Sequence, residues 1–457
     1  MLFPSQVFLL LFLPLTLLAY YGVATGVRLR VELLALASLL FYGWWDVRFL
    51  PLLLATIGLN WLTAASYTRT RQGIWLVLGI VFNLAVLGLF KYTNFLAESV
   101  LALLGVPFEP WTIVLPLGIS FFTFQQISYL VDLRRAETPL YTLPEYAAYV
   151  AFFPQLIAGP IVRHNELIPQ FRVVCERAPQ TETIARGLIL LILGLGKKVF
   201  LADKLAPLAD AGFGAAEFAV PGGLSAWQAA LSYSLQLYFD FSSYSDMAMG
   251  LAGLFGFDLP LNFDKPYRAL SVREFWRRWH MTLSRFLRDY LYIPLGGSHQ
   301  GAGRTYAVAL GTMLLCGLWH GAGWTFVAWG GLHGLGVCVN RWWGAHGPPL
   351  PAIAAWLLTL LFVVVGWVLF RAESFSVAAN VLNGMVGIAG TGKFDDDGWI
   401  VIGLGAAFAL AGPSNVELAH GRLLATPVAR SLLALLLVAI LMRVGQGRAL
   451  EFIYFQF

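Results

Sequence analysis

Apolar runs of about 14 to 20 residues recur along the whole chain, separated by short polar joints. They cover 6–22, 31–45, 50–66, 74–90, 112–131, 146–161, 183–200, 225–239, 244–257, 306–319, 322–340, 352–370, 398–412 and 430–445. A helix of roughly 17–25 such residues crosses a ~30 Å hydrocarbon core. The runs do not alternate in the manner of an outer-membrane barrel. Helices satisfy their own backbone hydrogen bonds in lipid, so the runs predict an all-α, polytopic integral membrane protein. Several runs are too short to cross. The expectation is about eleven to thirteen transmembrane helices, with re-entrant and interfacial helices besides. No polar stretch is long enough to fold alone, so residues 1–457 are expected to form one transmembrane domain. The run from Leu2 to Tyr21 has no basic leader and no clear small-residue cleavage site, and reads as a permanent span.

Composition agrees with the pattern. Of 457 residues, 58% are hydrophobic and 12% are charged. A soluble protein carries about 25% charged residues, and half of that cannot clothe a wet surface of this size. Arg28 and Arg30, Arg69 and Arg71, and Arg134 and Arg135 follow alternate runs. Basic joints face the cytoplasm, which puts the N-terminus outside. Arg163, Arg172 and Arg177 break the alternation unless 146–161 is re-entrant.

Charge concentrates in 262–304. Eight basic residues there face three acids, and the local +5 equals the formal charge of the whole chain. This joint should lie at the cytoplasmic surface, against anionic lipid or an anionic ligand. Within it, 273–290 reads as one amphipathic helix. Phe275, Trp276, Trp279, Leu283, Phe286, Leu287 and Tyr290 share an arc of about 120°, with Arg277, Arg278, Arg285 and Arg288 outside it. It reads either as a surface anchor with its apolar face in the membrane, or as a basic lip that draws in a phosphate-bearing donor. Nothing in the chain points to nucleic acid.

Cys175, Cys316 and Cys338 form no CxxC pair, and no H-E-x-x-H string is present, so neither a disulfide nor a metal site is expected. There is no G-x-S-x-G elbow to supply a serine nucleophile. His346 and His420 lie in polar joints and His299 in a glycine-flanked turn. His320 differs. It sits between two apolar runs, in Trp319-His320-Gly321-Ala322-Gly323-Trp324, with His333 in the run that follows. An ionisable side chain at that depth needs a partner or a wet cavity. Taken alone, a histidine there suits an interfacial or core role. It also suits a general base, since imidazole takes and returns a proton near neutral pH. His280 falls at the edge of the apolar arc, facing a cleft or snorkelling. Asp240 and Asp246 lie in a polar run with Ser242, Tyr244 and Ser245, as ligands of a substrate or as a hydrogen-bonded brace.

Five stretches resemble the membrane-bound O-acyltransferase family, in particular the branch that acetylates alginate, peptidoglycan and other exported polysaccharides. They are Leu115 to Phe121 with Tyr129, Phe153 to Pro160, Leu237 to Asp246, Glu274 to Leu291, and Gly317 to Gly321. The likeness covers roughly residues 1–370 and returns at the aromatic C-terminus, Phe452 to Phe457. It implies that His320 is the catalytic histidine and His280 its second; Trp319, Asp240, Asp246, Arg277 and Arg278 are the candidates for contact with the substrates. It implies a tunnel through a thinned part of the membrane, acetyl-CoA as the cytosolic donor, and no bound cofactor or metal. It further implies a periplasmic or membrane-anchored SGNH-type partner, a polysaccharide acceptor, and residence in the bacterial inner membrane. Two other readings compete. One is a proton-coupled carrier or flippase of an activated acyl group or lipid-linked sugar, although no repeated half is visible. The other is a scaffold of a secretion complex.

Overall fold

A computed structural model describes all residues except 136–137, 177–179, 299–300, 393–394, 422–425, 447–451 and 454–457. Every regular element among the described residues is helical. The principal helices are α1 (Val27–Trp45), α2 (Leu50–Thr70), α3 (Ile74–Leu87), α4 (Ile119–Arg134), α5 (Leu143–Ala151), α6 (His164–Glu176), α7 (Thr181–Lys197), α8 (Gly223–Leu254), α9 (Val272–Arg278), α10 (Met281–Leu287), α11 (Ala302–His320), α12 (Trp324–His346), α13 (Ala352–Arg371), α14 (Asp396–Ala411) and α15 (Pro427–Gly445).

Length and apolarity together single out four spans among the described residues: Val47–Thr70, Ile74–Leu103, Ala352–Arg371 and Pro427–Val444. That is fewer than the eleven to thirteen expected from sequence, because other long helices carry charged or polar residues: α1 begins with Arg28, Arg30 and Glu32, and α8 buries Asp240. The runs 225–239 and 244–257 are one helix of 32 residues, so the polar stretch from Asp240 to Asp246 interrupts nothing. The run 112–131 becomes helical at Ile119, after Gly118 takes a left-handed conformation at φ 74°. Over 146–161, helix α5 ends at Ala151, and residues 152–160 continue as a buried, non-helical stretch. Nine residues are too few to cross a bilayer.

The chain forms two compact units. The first comprises Met1–Ile192, Ser245–Pro260 and Thr426–Glu451. Two side-chain pairs brace it. Asn60 of α2 and Asn83 of α3 exchange amide hydrogen bonds at 2.6 and 3.2 Å, both fully buried. Between helices in lipid, such paired amides hold apolar surfaces in register. His164 of α6 meets Asp132 of α4 at 3.0 Å and the Tyr141 hydroxyl at 3.2 Å. The second unit comprises Leu193–Tyr244, Leu261–Ala425 and Phe452–Phe457. In it, buried Lys198 reaches Asp240 at 2.6 Å and Asp203 at 2.9 Å. The other oxygen of Asp240 accepts the Ile453 backbone N–H at 2.7 Å, and the Phe452 ring covers the Lys198 ammonium at 4.6 Å. A buried charge without such partners would cost several kcal/mol.

Helices α11 and α12 form the tightest pair in this unit. A Cβ added to Gly317 would lie 3.1 Å from the Gly330 Cα, and one added to Gly330 would lie 3.1 Å from the Gly317 Cα. The two backbones therefore touch, which larger residues forbid. We predict that Gly330→Leu separates the helices and lowers stability by about 1–3 kcal/mol or more. Gly344→Leu on the same helix, where an added Cβ meets nothing within 4 Å, should leave it unchanged. Thermal unfolding of both variants in detergent checks this.

Candidate active site

Residues 273–290 were expected to form one helix. They form α9 and α10, broken at Trp279 and His280, with a wider turn over Arg288–Tyr292. His280 takes the left-handed conformation, φ 44° and ψ 52°, which is unfavourable for a residue with a Cβ. Such strain persists where surrounding contacts enforce it and gathers at functional sites. The contacts here are explicit. The Asp264 N–H donates to the Arg278 carbonyl and the Met281 N–H to the Asn262 carbonyl, each at 2.9 Å. The apolar arc packs inside the protein rather than against lipid. Phe275, Trp276, Trp279, Leu283, Phe286 and Leu287 are all buried, and of the arc Tyr290 alone is half-exposed.

The break turns the His280 ring inward, where it is fully buried. Its Nδ1 lies 3.1 Å from the Asn262 side-chain oxygen. That oxygen also accepts from the Thr282 N–H at 3.3 Å and the Thr282 hydroxyl at 2.8 Å. An atom that accepts a backbone N–H is the carbonyl end of the amide, so His280 Nδ1 carries the proton. Its Nε2 then presents a lone pair, with no hydrogen-bond partner among the described residues. Asn262 thus fixes the tautomer from behind.

His320 is the last residue of α11 and is 3% exposed. Its ring centre lies 6.4 Å from that of His280. The two histidines chosen from the sequence therefore stand side by side. Trp329 meets His320 edge-on at 5.2 Å and Phe370 meets it at 5.3 Å. Trp319 lies 6.1 Å from His280. The extended Gly321 that follows is required by packing, since a Cβ there would lie 2.6 Å from the Phe326 ring carbon Cζ, with other ring atoms closer still.

Two further residues, Asn262 and His333, were not among the chosen site residues and adjoin the pair. His333 is fully buried, and its Nδ1 accepts the Trp276 indole N–H at 3.2 Å. Trp329, one turn earlier on α12, lies 4.9 Å from His333 and so stands between it and His320. A histidine flanked by glycines inside an apolar run, four residues after a tryptophan, was the available signal. Asn262 offered none, because its role depends on the break at His280.

The remaining candidates fall elsewhere. Asp240 is held by Lys198 and the Ile453 N–H, and it is the next residue, Phe241, that touches His280, at 4.7 Å. Asp246 is buried and lies in the first unit. Arg277 lines a cavity of about 290 Å³ together with Arg273, Arg288 and Arg341, whereas Arg278 is tied to Glu274 at 2.9 Å and to Asp264 at 3.6 Å. His346 and His420 end helices rather than lying in joints, and His299 and Arg177 lie outside the described residues. The three cysteines are free thiols. Among the described residues, no three His, Cys, Asp or Glu side chains converge as metal ligands would.

Fold and site together define an integral membrane protein with a buried pair of histidines, one of them fixed in its tautomer. The chain belongs to the membrane-bound O-acyltransferase family, whose family model matches residues 119–370 and so contains every residue of this cluster. It is similar to the peptidoglycan O-acetyltransferase of Helicobacter pylori, 42% identical over 85% of this chain and 80% of that protein. It is also similar to the probable alginate O-acetylases of Azotobacter vinelandii and Pseudomonas aeruginosa. Each is 46% identical, over 83% and 84% of this chain and 76% and 75% of theirs. The chain is therefore a multi-pass membrane O-acyltransferase, and chemistry in this chain is favoured over the carrier and scaffold readings.

The Asn262 contact generates a prediction. Asn262→Ala removes the acceptor behind His280 and frees both its tautomer and its ring. Acyl transfer should fall by about 10- to 100-fold, as for other outer partners of working histidines. Asn262→Asp, which still accepts, should retain more activity than the alanine variant. Transfer rates of the purified variants decide it.

Proposed function

We propose that this enzyme is an O-acetyltransferase of the bacterial inner membrane. It moves an acetyl group from cytosolic acetyl-CoA towards hydroxyl groups of an exported, alginate-like polysaccharide. The observation that carries the proposal is the pairing of His280 and His320 inside an aromatic wall, on a chain closely similar to O-acetyltransferases.

In this reading His320 removes the proton of an acceptor hydroxyl as its oxygen attacks the carbonyl carbon of the acetyl thioester. The C–O bond forms, the C–S bond breaks, and the departing thiolate receives the proton back from His320. Nothing else is consumed, so the products are an acetyl ester and a free thiol. His280, held in place by Asn262, stands beside His320 and shapes the space the incoming hydroxyl takes. Trp319, Trp329 and Phe370 keep water from competing for the thioester. Asp240 and Asp246 act as braces, Asp240 through its neighbour Phe241.

His320→Ala should lower acetyl transfer by about 10²- to 10⁴-fold, the range for loss of a general base. Insertion and thermal stability should be kept. Transfer from labelled acetyl-CoA by the reconstituted variant is the measurement, and a wild-type rate would sink the proposal.

The described chain has no sizeable soluble portion to hold an exported polymer. The acetyl group therefore passes to a periplasmic or membrane-anchored SGNH-type partner, whose serine hydroxyl is the immediate acceptor. Incubating the enzyme, labelled acetyl-CoA and such a partner should label that serine. If donor is consumed while the partner stays unlabelled, the relay is wrong and the polymer is acetylated directly.

A further inference from the structure

Inside the second unit, one buried lysine faces two carboxylates. Lys198 opens the wide turn Lys198–Ala202 after α7 and is 2% exposed. Its ammonium reaches Asp240 of α8 at 2.6 Å and Asp203 at 2.9 Å. Phe452 and Ile453, which follow α15 in sequence, are seated on this pair, and both are buried. We propose that Phe452 and Ile453 form a strap that positions His280, acting through the Lys198–Asp240 pair and Phe241. The proposal rests on the acyltransferase reading above and deepens it on the His280 side of the cluster.

The strap supplies what the lysine cannot. A buried carboxylate is costly unless both of its oxygens are matched. Lys198 takes Oδ1 of Asp240, and the Ile453 backbone N–H donates to Oδ2 at 2.7 Å. Asp203 draws the same ammonium towards a second anion, so Asp240 shares its cation and depends the more on the Ile453 N–H. The Phe452 ring lies 4.6 Å from the ammonium, where a desolvated cation gains most from an aromatic face. The same ring meets Tyr244 edge-on at 4.8 Å. Tyr244 lies four residues after Asp240 on α8, so the two share a helix face. The strap therefore grips one face of α8 at two successive turns.

That stretch of α8 in turn walls in His280. Phe241, next to Asp240, meets the His280 ring edge-on at 4.7 Å and the Phe263 ring at 4.9 Å. Phe263 stacks with His280 at 6.3 Å and follows Asn262, whose side-chain oxygen holds His280 Nδ1. The His280 backbone is in the left-handed region at φ 44°, a conformation that persists only while its surroundings enforce it. Phe241 is one of those surroundings. Consecutive helix positions point about 100° apart, so Asp240 and Phe241 face different neighbours. Fixing Asp240 on the strap sets the rotation of α8 that aims Phe241 at His280. Lys197 pins the next position of the same stretch by donating to the Ser242 hydroxyl at 3.1 Å.

The test uses the purified full chain, with transfer from labelled acetyl-CoA as the assay. Ile453→Pro deletes the N–H that Asp240 Oδ2 accepts and leaves every charged side chain in place. It should lower kcat about 10- to 100-fold, the scale for outer partners of working histidines, and leave the donor KM unchanged. Phe452→Leu keeps an apolar contact but loses the ring face over the ammonium. It should lower kcat in the same direction and by less, and it carries the test should the proline variant fold poorly by thermal unfolding. Phe241→Leu loosens the same wall of His280, so its loss and that of Ile453→Pro should not multiply when the two are combined. Fully multiplicative losses place the two residues at independent sites and overturn the strap. A wild-type kcat in either folded strap variant overturns it as well, and so does a raised KM at wild-type kcat. His320→Ala separates the two readings. If it abolishes transfer while Ile453→Pro and Phe452→Leu keep the wild-type kcat, the strap falls and the acyltransferase reading stands. If it transfers at the wild-type rate, that reading falls and the strap with it.

Discussion

Helices α11 and α12 touch at Gly317 and Gly330, and the position of the histidine cluster depends on that touch. With the backbones this close, the end of α11 brings His320 against Trp329 of the facing helix. One turn further along α12, His333 then faces the Trp276 indole of α9. Moving α12 outward by a side chain would break both contacts together. A helix pair in lipid gains little from burying apolar surface, because lipid tails are as apolar as leucine. Close packing between glycines is what remains to hold the pair. The strain at His280 is the complementary constraint. A continuous helix would carry His280 past the cluster, and the two backbone bonds to Asn262 and Asp264 hold the break open.

The cluster is dry and partly matched in its hydrogen bonds. His280 and His333 are fully buried and His320 nearly so. Buried polar groups are expensive unless each atom is matched. The matching is selective. His280 Nδ1 and His333 Nδ1 each have a defined partner, Asn262 and Trp276. The Nε2 atoms of both lack one among the described residues. One nitrogen of each ring is spent on orientation, and the other is left for a ligand or for strain. A catalytic group is useful in this form, because orientation is settled before substrate arrives.

The sequence made the helical membrane class and His320 legible for different reasons. Apolar length alone carries the class, because lipid leaves helices as the solution for such runs. His320 became visible through the order of five motifs, since a lone histidine at that depth suits a core role as well. What stayed hidden depends on backbone events that periodicity does not register. The apolar arc of 273–290 is regular across residues 279–280, yet the chain turns there into the left-handed region, and the arc packs against protein instead of lipid. Asp240 to Asp246 looked like a joint between two spans because polarity was taken as an interruption. Lys198, 42 residues away, supplies the charge that lets Asp240 remain in a continuous helix. Arg277 and Arg278 look equivalent in sequence. They diverge because consecutive helix positions point about 100° apart, one to the cavity and one to Glu274 four residues back.

An acyltransferase has to hold its substrates by polar groups while the reacting carbonyl is kept dry. The short helices α9 and α10 separate these two needs. Arg273 and Arg277 lie on the side of α9 that faces the cavity, while Trp276, between them in sequence, is buried and reaches His333. The basic face and the histidine cluster thus meet at one indole. A single continuous helix could not do this, because the break at His280 is what lets α9 carry the basic face while α10 returns the chain to the cavity at Ser284.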